Sequence, residues 1–209
     1  YVVAKFCKDE LKITNVAVLF DQTAPYSKGL RDEFKKNFEK MGGKIVADQA
    51  YSSGDQDFSA QLTTIRGANP QAIFIPGYYS DVTNIALQSR KLGMKMPLLG
   101  GDGWDSEELG KNAGESIEGC FYSNHYAPDQ PTEEIQAFVS KYKAAFGGVP
   151  DGLAALGYDG ARLLFEAMGR AKSLSGTDLR DAIGQARGFK GVTGAITLND
   201  HRDAVKNVV

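Results

Sequence analysis

The sequence has few of the residues that usually build metal sites and disulfide frameworks. Its 209 residues include two cysteines and two histidines, and Cys7 and Cys120 do not form a CxxC pair. His125 and His201 are too few and too scattered to suggest a zinc site based on histidine. We therefore predict no metal centre. We interpret the two cysteines as buried thiols, with a single disulfide in an exported protein as the alternative.

Neither sign of charge dominates, and long apolar runs are absent. The chain carries 24 Lys+Arg against 26 Asp+Glu, which gives a formal net charge of −2. This balance offers no electrostatic footprint for sequence-independent binding of nucleic acid, so we expect no such partner. No apolar stretch approaches the roughly 20 residues that a membrane-spanning helix requires. The sequence itself therefore contains no membrane span.

The signature motifs of the common α/β enzymes are also missing. The sequence contains no G-x-G-x-x-G after an apolar run, no G-x-x-x-x-G-K-[ST] loop and no G-x-S-x-G nucleophile elbow. The spacing of the carboxylates does not single out an acid–base pair. Binding without covalent chemistry is the simpler interpretation. We predict no catalytic residues, no enzyme activity and no cofactor.

Residues 1–124 alternate short apolar runs with helical patterns. Strands are predicted at residues 15–20, 44–51, 72–75, 97–100 and 117–122. Between the first two runs, Leu30, Phe34 and Phe38 recur at helical spacing, and Gly42 follows as a helix stop. Strands joined by helical connections of this length run parallel, with right-handed crossovers. The predicted fold class is α/β, with a doubly wound parallel sheet.

Residues 125–209 show mainly helical patterns. Helices are predicted from Glu133 to the glycines at 147–148, over 153–171 and over 179–186, with Thr132 as the N-cap of the first. Strand patterns are limited to 195–198 and 205–209. Three helices with so little sheet cannot easily cover their apolar faces. This half therefore needs a sheet that it does not itself supply.

Aromatic and acidic residues follow the predicted strands at 21–27, 76–81 and 101–105. Tyr26, Tyr78, Asp102 and Trp104 stand out among them. Each has an ordinary structural interpretation, such as ring packing or, for Asp102, a hydrogen bond within its own turn. Ligands of open parallel sheets, however, bind beyond the carboxyl ends of the strands. Because tyrosine faces and carboxylates both attract cations, the set predicts a site for a small ligand with an ammonium group.

Short segments spread over nearly the whole chain resemble a known family. They are YSKGL (26–30), YSSGDQDF (51–58), NPQAIF (69–74), GY (77–78), LGGDGW (99–104), GYDGA (157–161) and FKGVTG (189–194). In this order and spacing they resemble the solute-binding proteins of bacterial ABC importers for branched-chain amino acids, which are type I periplasmic binding proteins. The order and spacing make this resemblance more specific than any single motif.

The resemblance implies two α/β lobes, with the ligand in the cleft between them and a hinge that the chain crosses three times. Residues 1–124 resemble the second lobe, residues 125–204 a helical segment belonging to the first lobe, and residues 205–209 the final hinge crossing or a strand. The leading part of the first lobe, with the loop that holds the ligand carboxylate, has no counterpart in this sequence. We hypothesise that the 209 residues belong to a longer protein.

The resemblance also implies roles for individual residues. Asp102 resembles the acidic residue that receives the α-ammonium group of the ligand, and Tyr26, Tyr78 and Tyr158 resemble tyrosines of the cleft. Trp104 is expected to add to the lining of the pocket. Ser27 departs from the family pattern, which often has glycine there.

The function implied is the extracytoplasmic solute-binding component of an ABC importer. Such a protein binds a small, branched-chain amino acid and delivers it to a membrane permease, and we expect it to be a monomer in the periplasm or elsewhere outside the cytoplasm, with or without a lipid anchor. The main alternative is a ligand-sensing domain of a receptor or regulator, which an attached signalling or DNA-binding segment would reveal. An enzyme on a flavodoxin-like sheet would show turnover, and a purely structural module would bind no metabolite.

Overall fold

A computed structural model describes residues 1–207 of the chain, which divide into a first compact unit, Tyr1–Ser123, and a second that begins at Asn124. The part of the predicted final hinge crossing that falls on residues 208 and 209 lies outside the described residues. Each unit is described below by itself.

The first unit is a parallel sheet with helical crossovers. Its strands are β1 (Asn15–Asp21), β2 (Lys44–Tyr51), β3 (Ala72–Phe74), β4 (Leu98–Gly100) and β5 (Phe121–Tyr122), in the order β2-β1-β3-β4-β5. Its helices are α1 (Val2–Asp9), α2 (Pro25–Lys40), α3 (Ser59–Gly67), α4 (Tyr79–Lys91) and α5 (Glu107–Ala113), with short 3-10 helices at Asp102–Trp104 and Gly114–Ile117. Every neighbouring pair of strands is parallel. The predicted α/β parallel sheet is confirmed.

Both faces of this sheet are covered, which explains the continuous apolar character of β1. Ala17 and Leu19 belong to a buried cluster on one face, and Val16 and Val18 belong to a second cluster on the other. Successive side chains of a strand point to opposite faces, so a strand covered on both sides needs apolar residues at every position. An alternating pattern would have left one face polar.

The fifth predicted strand is shorter than the apolar run indicated. Residues 117–122 were predicted as strand, whereas β5 contains Phe121 and Tyr122 alone. Gly114 and Gly119 both adopt positive φ angles, of 51° and 69°. This left-handed backbone turns the chain before it can pair with β4.

The second unit contains three helices and a small antiparallel sheet. The helices are α6 (Glu133–Phe146), α7 (Gly152–Arg170) and α8 (Gly176–Gly184), and the strands β6 (Phe189–Gly191), β7 (Gly194–Leu198) and β8 (Ala204–Val205) lie in the order β6-β7-β8. Strand β6 was not predicted, and α8 begins and ends earlier than the predicted range of 179–186. Several apolar side chains of α7 remain exposed, most clearly Phe165, at 66%. The helices thus keep apolar surface that this small sheet does not cover.

The N-termini of the three helices of the second unit differ in their caps. Asp151 accepts a hydrogen bond from the Ala154 amide at 2.7 Å, and Ser175 accepts one from the Asp178 amide at 3.3 Å. Thr132 occupies the N-cap position of α6, as predicted, but its side chain makes no cap hydrogen bond. The threonine therefore contributes less to its helix than the sequence pattern suggested.

This difference gives a first testable prediction. Asp151→Ala is expected to lower the free energy of unfolding by about 1 kcal/mol, because it removes an N-cap acceptor. Thr132→Ala, its matched control at the start of α6, should change the same quantity by less than about 0.5 kcal/mol, the usual range for surface substitutions. Urea denaturation followed by circular dichroism measures both. Equal losses in the two variants would contradict the assignment of the caps.

Within residues 1–207, no helix combines the length and apolar character needed to cross a membrane. The two cysteines are unpaired thiols in this structure, and Cys7 is fully buried. Burial raises the pKa of the Cys7 thiol to about 12. The interpretation as a buried thiol therefore agrees with the structure for Cys7, whereas Cys120 is only partly buried, and the alternative disulfide between them is absent.

Candidate functional site

Three of the predicted site residues form one cluster in the first unit. The Tyr26 hydroxyl donates a hydrogen bond to Asp102 Oδ1 at 2.8 Å. The rings of Tyr26 and Tyr78 stack, with centroids 5.0 Å apart and an interplanar angle of 23°. The structure thus brings Tyr26, Tyr78 and Asp102 together, although they come from parts of the sequence far apart. We call these three residues the Tyr-Asp cluster.

The topology of the sheet explains this convergence. Tyr26 lies in the first turn of α2, after the end of β1; Tyr78 is the N-cap of α4, after β3; and Asp102 begins the 3-10 helix after β4. Strands β1, β3 and β4 are neighbours and run parallel, so their carboxyl ends lie at one edge of the sheet. The chain also leaves β1 toward β2 on one side and returns to β3 on the other. This reversal of strand order is where ligands of open α/β sheets bind.

A glycine allows the three turns to approach closely. A Cβ atom at Gly103 would lie 2.8 Å from the Gly77 carbonyl oxygen and 3.1 Å from the Tyr78 ring. The Gly103 amide also donates a hydrogen bond to the Tyr26 hydroxyl at 3.0 Å. The Tyr26 oxygen therefore accepts from one residue of the turn after β4 and donates to another, Asp102. This pair of bonds fixes the position of the carboxylate relative to the two rings.

The electrostatics of the cluster favour a cation. Burial, and next the charge of Asp102, raise the pKa of the Tyr26 hydroxyl far above its ordinary value, so this group stays protonated at neutral pH and donates to the carboxylate. Tyr78 is 40% exposed and can present its ring to a ligand. A carboxylate beside two tyrosine rings attracts an ammonium group through charge-assisted hydrogen bonds and through the negative faces of the rings.

Trp104 lies apart from the surface of this cluster. Its side chain is 2% exposed, and its indole Nε1 donates to the Ile75 carbonyl at 3.0 Å. It belongs to the main hydrophobic core on one face of the sheet. The structure therefore places the indole in the core and not on the lining where the sequence interpretation put it, because the turn after β4 folds this side chain inward.

Tyr158 belongs to α7 in the second unit. It is 38% exposed, its ring centroid lies 4.7 Å from that of Phe138, and the Arg162 guanidinium lies 5.6 Å from the centroid of the same ring. Its role as a tyrosine of the cleft stays a prediction.

A buried carboxylate in the second unit went unrecognised in the sequence. Asp159 is 1% exposed and accepts hydrogen bonds from the Val192 amide at 2.8 Å, the Thr193 amide at 2.8 Å and the Thr193 hydroxyl at 2.7 Å. A Cβ atom at Gly191 would lie 2.3 Å from an oxygen of this carboxylate. The GYDGA and FKGVTG segments thus meet here. Both segments belong to the set that carries the family resemblance, and this was the available sign of their importance. Sequence alone, however, does not show that two distant segments pair.

A second missed feature is a cavity of about 360 Å³ in the second unit. It is lined by residues that include His125, Lys190 and Thr193, and the five predicted site residues do not line it.

Among residues 1–207, the structure contains no group of three or more histidine, cysteine, aspartate or glutamate side chains that could hold a metal ion.

Ser27, which departs from the family pattern, has a defined structural role. Its side chain is fully buried, and its hydroxyl accepts a hydrogen bond from the Asp21 amide at 2.9 Å. This bond ties the end of β1 to the first turn of α2. It therefore supports the residue next to it, Tyr26, in the cluster.

Comparisons with known proteins identify the family of the chain. A family model described as periplasmic binding protein matches residues 1–208. Leu/Ile/Val-binding protein homolog 2 of Brucella abortus (strain 2308) is 30% identical over 203 residues, which cover 97% of this chain and 54% of that protein. The chain therefore spans about half the length of the curated relatives it matches.

Solved structures of binding proteins superpose on nearly the whole of this chain. The crystal structure of the leucine-binding protein LivK from Thermotoga maritima superposes with a TM-score of 0.90 at 38% identity, over 100% of this chain and 59% of that one. A second structure is that of LivJ from Streptococcus pneumoniae, a branched-chain amino acid transporter substrate-binding protein in complex with isoleucine. It superposes with a TM-score of 0.84 at 29% identity, over 99% of this chain and 59% of that one.

Proposed function

Because this chain belongs to the periplasmic binding protein family, we propose that the complete protein binds a branched-chain amino acid outside the cytoplasm and delivers it to the permease of an ABC importer. The family consists of binding proteins and not of enzymes, and the proposed function requires no covalent chemistry.

The observation that carries this proposal is the Tyr-Asp cluster. Its carboxylate, together with the rings of Tyr26 and Tyr78, suits the α-ammonium group of an amino acid. The α-ammonium group is the part of an amino acid that a carboxylate attracts, and simple carboxylic acids lack it, so the cluster favours amino acids over simple carboxylic acids. The aliphatic class of side chain is supported by the relatives, whose names refer to leucine, isoleucine and valine.

Capture is proposed to occur by closure of the two lobes of the complete protein around the ligand. A ligand stabilises a closed conformation only to the extent that it binds that conformation more tightly than the open one. In this scheme the first unit contributes the groups that contact the amine. The remaining contacts come from the rest of the protein, and the permease recognises the closed form.

A thermal-shift screen of the complete protein tests the proposal. L-leucine, L-isoleucine or L-valine at 100 times its dissociation constant is expected to stabilise the folded state by about 2.7 kcal/mol. The matched ligand control is 4-methylpentanoate, which has the carbon skeleton of leucine without the amine and should give a much smaller shift. Equal shifts with leucine and 4-methylpentanoate, or no shift with any amino acid, would contradict the proposal.

A further inference from the structure

The side chain of Trp104 connects two turns of the Tyr-Asp cluster from the side of the hydrophobic core. Its indole N–H donates to the Ile75 carbonyl at 3.0 Å, and the Gly77 amide donates to the same oxygen at 2.9 Å. Ile75 directly follows β3 and precedes the turn that carries Tyr78. One carbonyl oxygen therefore joins the turn after β4 to the turn after β3.

The indole ring is also held firmly by its packing. A Cβ atom at Gly100, the last residue of β4, would lie 2.2 Å from Cε2 of the Trp104 ring. The ring is therefore pressed against the backbone at the end of this strand, and Leu98 and Leu109 belong to the same buried cluster. Interiors packed this closely leave little room for a side chain to shift.

The backbone transmits this position to the carboxylate. Asp102 and Trp104 are the first and last residues of one 3-10 helix, in which the Trp104 amide donates to the Gly101 carbonyl at 3.1 Å. Gly103, between them, donates to the Tyr26 hydroxyl. In so short a helix, a shift of the indole would move Asp102 relative to both tyrosines.

We propose that Trp104 is a positioning residue for recognition of the ligand amine, acting through Asp102 without touching the ligand. This inference rests on the proposed function. Filling the core requires only an apolar ring. The indole N–H is not needed to satisfy the Ile75 oxygen, because the Gly77 amide already donates to it. What the N–H adds is a fixed distance between the two turns, and hence between the carboxylate and the Tyr78 ring.

The first experiment is Trp104→Phe in the complete protein, with L-leucine binding measured by titration calorimetry. The variant retains an aromatic ring and loses the N–H donor, and we expect it to weaken binding by about 5- to 10-fold, within the range of measured couplings between contacting residues. Ile13→Ala is the control, since it also removes volume from a buried cluster, but on the opposite face of the sheet and before the start of β1. It should lower the melting temperature but leave the affinity within about twofold, because sites that share no partners act independently.

A double-mutant cycle then separates positioning from a general loss of stability. If Trp104 acts through the charge of Asp102, Trp104→Phe should weaken leucine binding by less than about twofold in the Asp102→Asn background, since coupled residues are not additive. An equal loss in both backgrounds, or unchanged affinity in Trp104→Phe alone, would overturn the inference.

If Trp104→Phe does not fold, hydrogen exchange of the wild-type protein gives an independent test. L-leucine should slow amide hydrogen exchange in residues 77–78 and 101–104 together, because the indole joins these turns. Protection of one turn without the other would overturn the positioning role. Failure of the wild type to bind any amino acid would overturn the proposed function as well. The outcomes that overturn the positioning role alone differ from this one, because in them the wild type still binds L-leucine.

Discussion

Asp102→Asn in the complete protein is expected to weaken L-leucine binding by about 10- to 150-fold, which corresponds to about 1.5–3 kcal/mol for a hydrogen bond to a charged group. The amide oxygen can still accept the hydrogen bond that the Tyr26 hydroxyl now donates at 2.8 Å. The substitution therefore keeps the geometry of the cluster and removes its negative charge. Titration calorimetry at constant ionic strength measures the effect.

Asp105→Asn is the matched control for this substitution. Asp105 is three positions further along the same turn and accepts a hydrogen bond from the Tyr122 hydroxyl at 3.2 Å, outside the Tyr-Asp cluster. The two variants change the net charge equally, so long-range electrostatics cannot distinguish them. We expect Asp105→Asn to bind leucine within about threefold of the wild type, as charges beyond direct contact are screened by salt. Unchanged leucine affinity in Asp102→Asn would remove Asp102 from amine recognition.

Asp159→Ala is expected to lower the free energy of unfolding of the protein by about 3–5 kcal/mol, since removing the one acceptor leaves three buried hydrogen-bond donors unsatisfied. The Asp159 carboxylate accepts from the Val192 amide and from both the amide and the hydroxyl of Thr193. Alanine cannot replace these acceptors, and water does not easily reach a site that is 1% exposed. Denaturation by urea, followed by circular dichroism, measures the loss.

The control for Asp159→Ala is Asp181→Ala in the same unit. Asp181 is an exposed residue of α8 whose carboxylate pairs with its sequence neighbour Arg180. Exposed ion pairs contribute little, so this variant should change the free energy of unfolding by less than about 0.5 kcal/mol. A loss of similar size in both variants would show that the buried hydrogen bonds do not dominate the stability of this segment.

Much of the first unit could be predicted from its sequence because its central strands, β1, β3 and β4, are buried on both faces. The apolar run at 15–20 predicted β1, and the spacing of Phe34 and Phe38 predicted α2, whose side chains pack in one cluster. Helix α1 was not predicted, because its inner face is marked mainly by the small residues Ala4 and Cys7. The start of β5 was misjudged because the hydrophobicity of a sequence does not show that a glycine adopts a positive φ.

The candidate site was predictable to the extent that it follows from strand order. The expectation that polar residues after parallel strands share one edge led to Tyr26, Tyr78 and Asp102, which the structure brings together. The inward orientation of Trp104 could not be predicted, because it depends on a hydrogen bond to a carbonyl 29 positions away. The pairing of Asp159 with residues 192–193 was missed because these hydrogen bonds also join residues that lie far apart along the chain.

The 76 positions that separate Tyr26 from Asp102 have a consequence for biosynthesis. Contacts so distant along the chain form only after the intervening crossovers have closed, and they make folding slower than local contacts would. A nascent chain that has emerged only as far as α4 carries both tyrosines but lacks the carboxylate. Incompletely synthesised copies therefore lack a complete Tyr-Asp cluster.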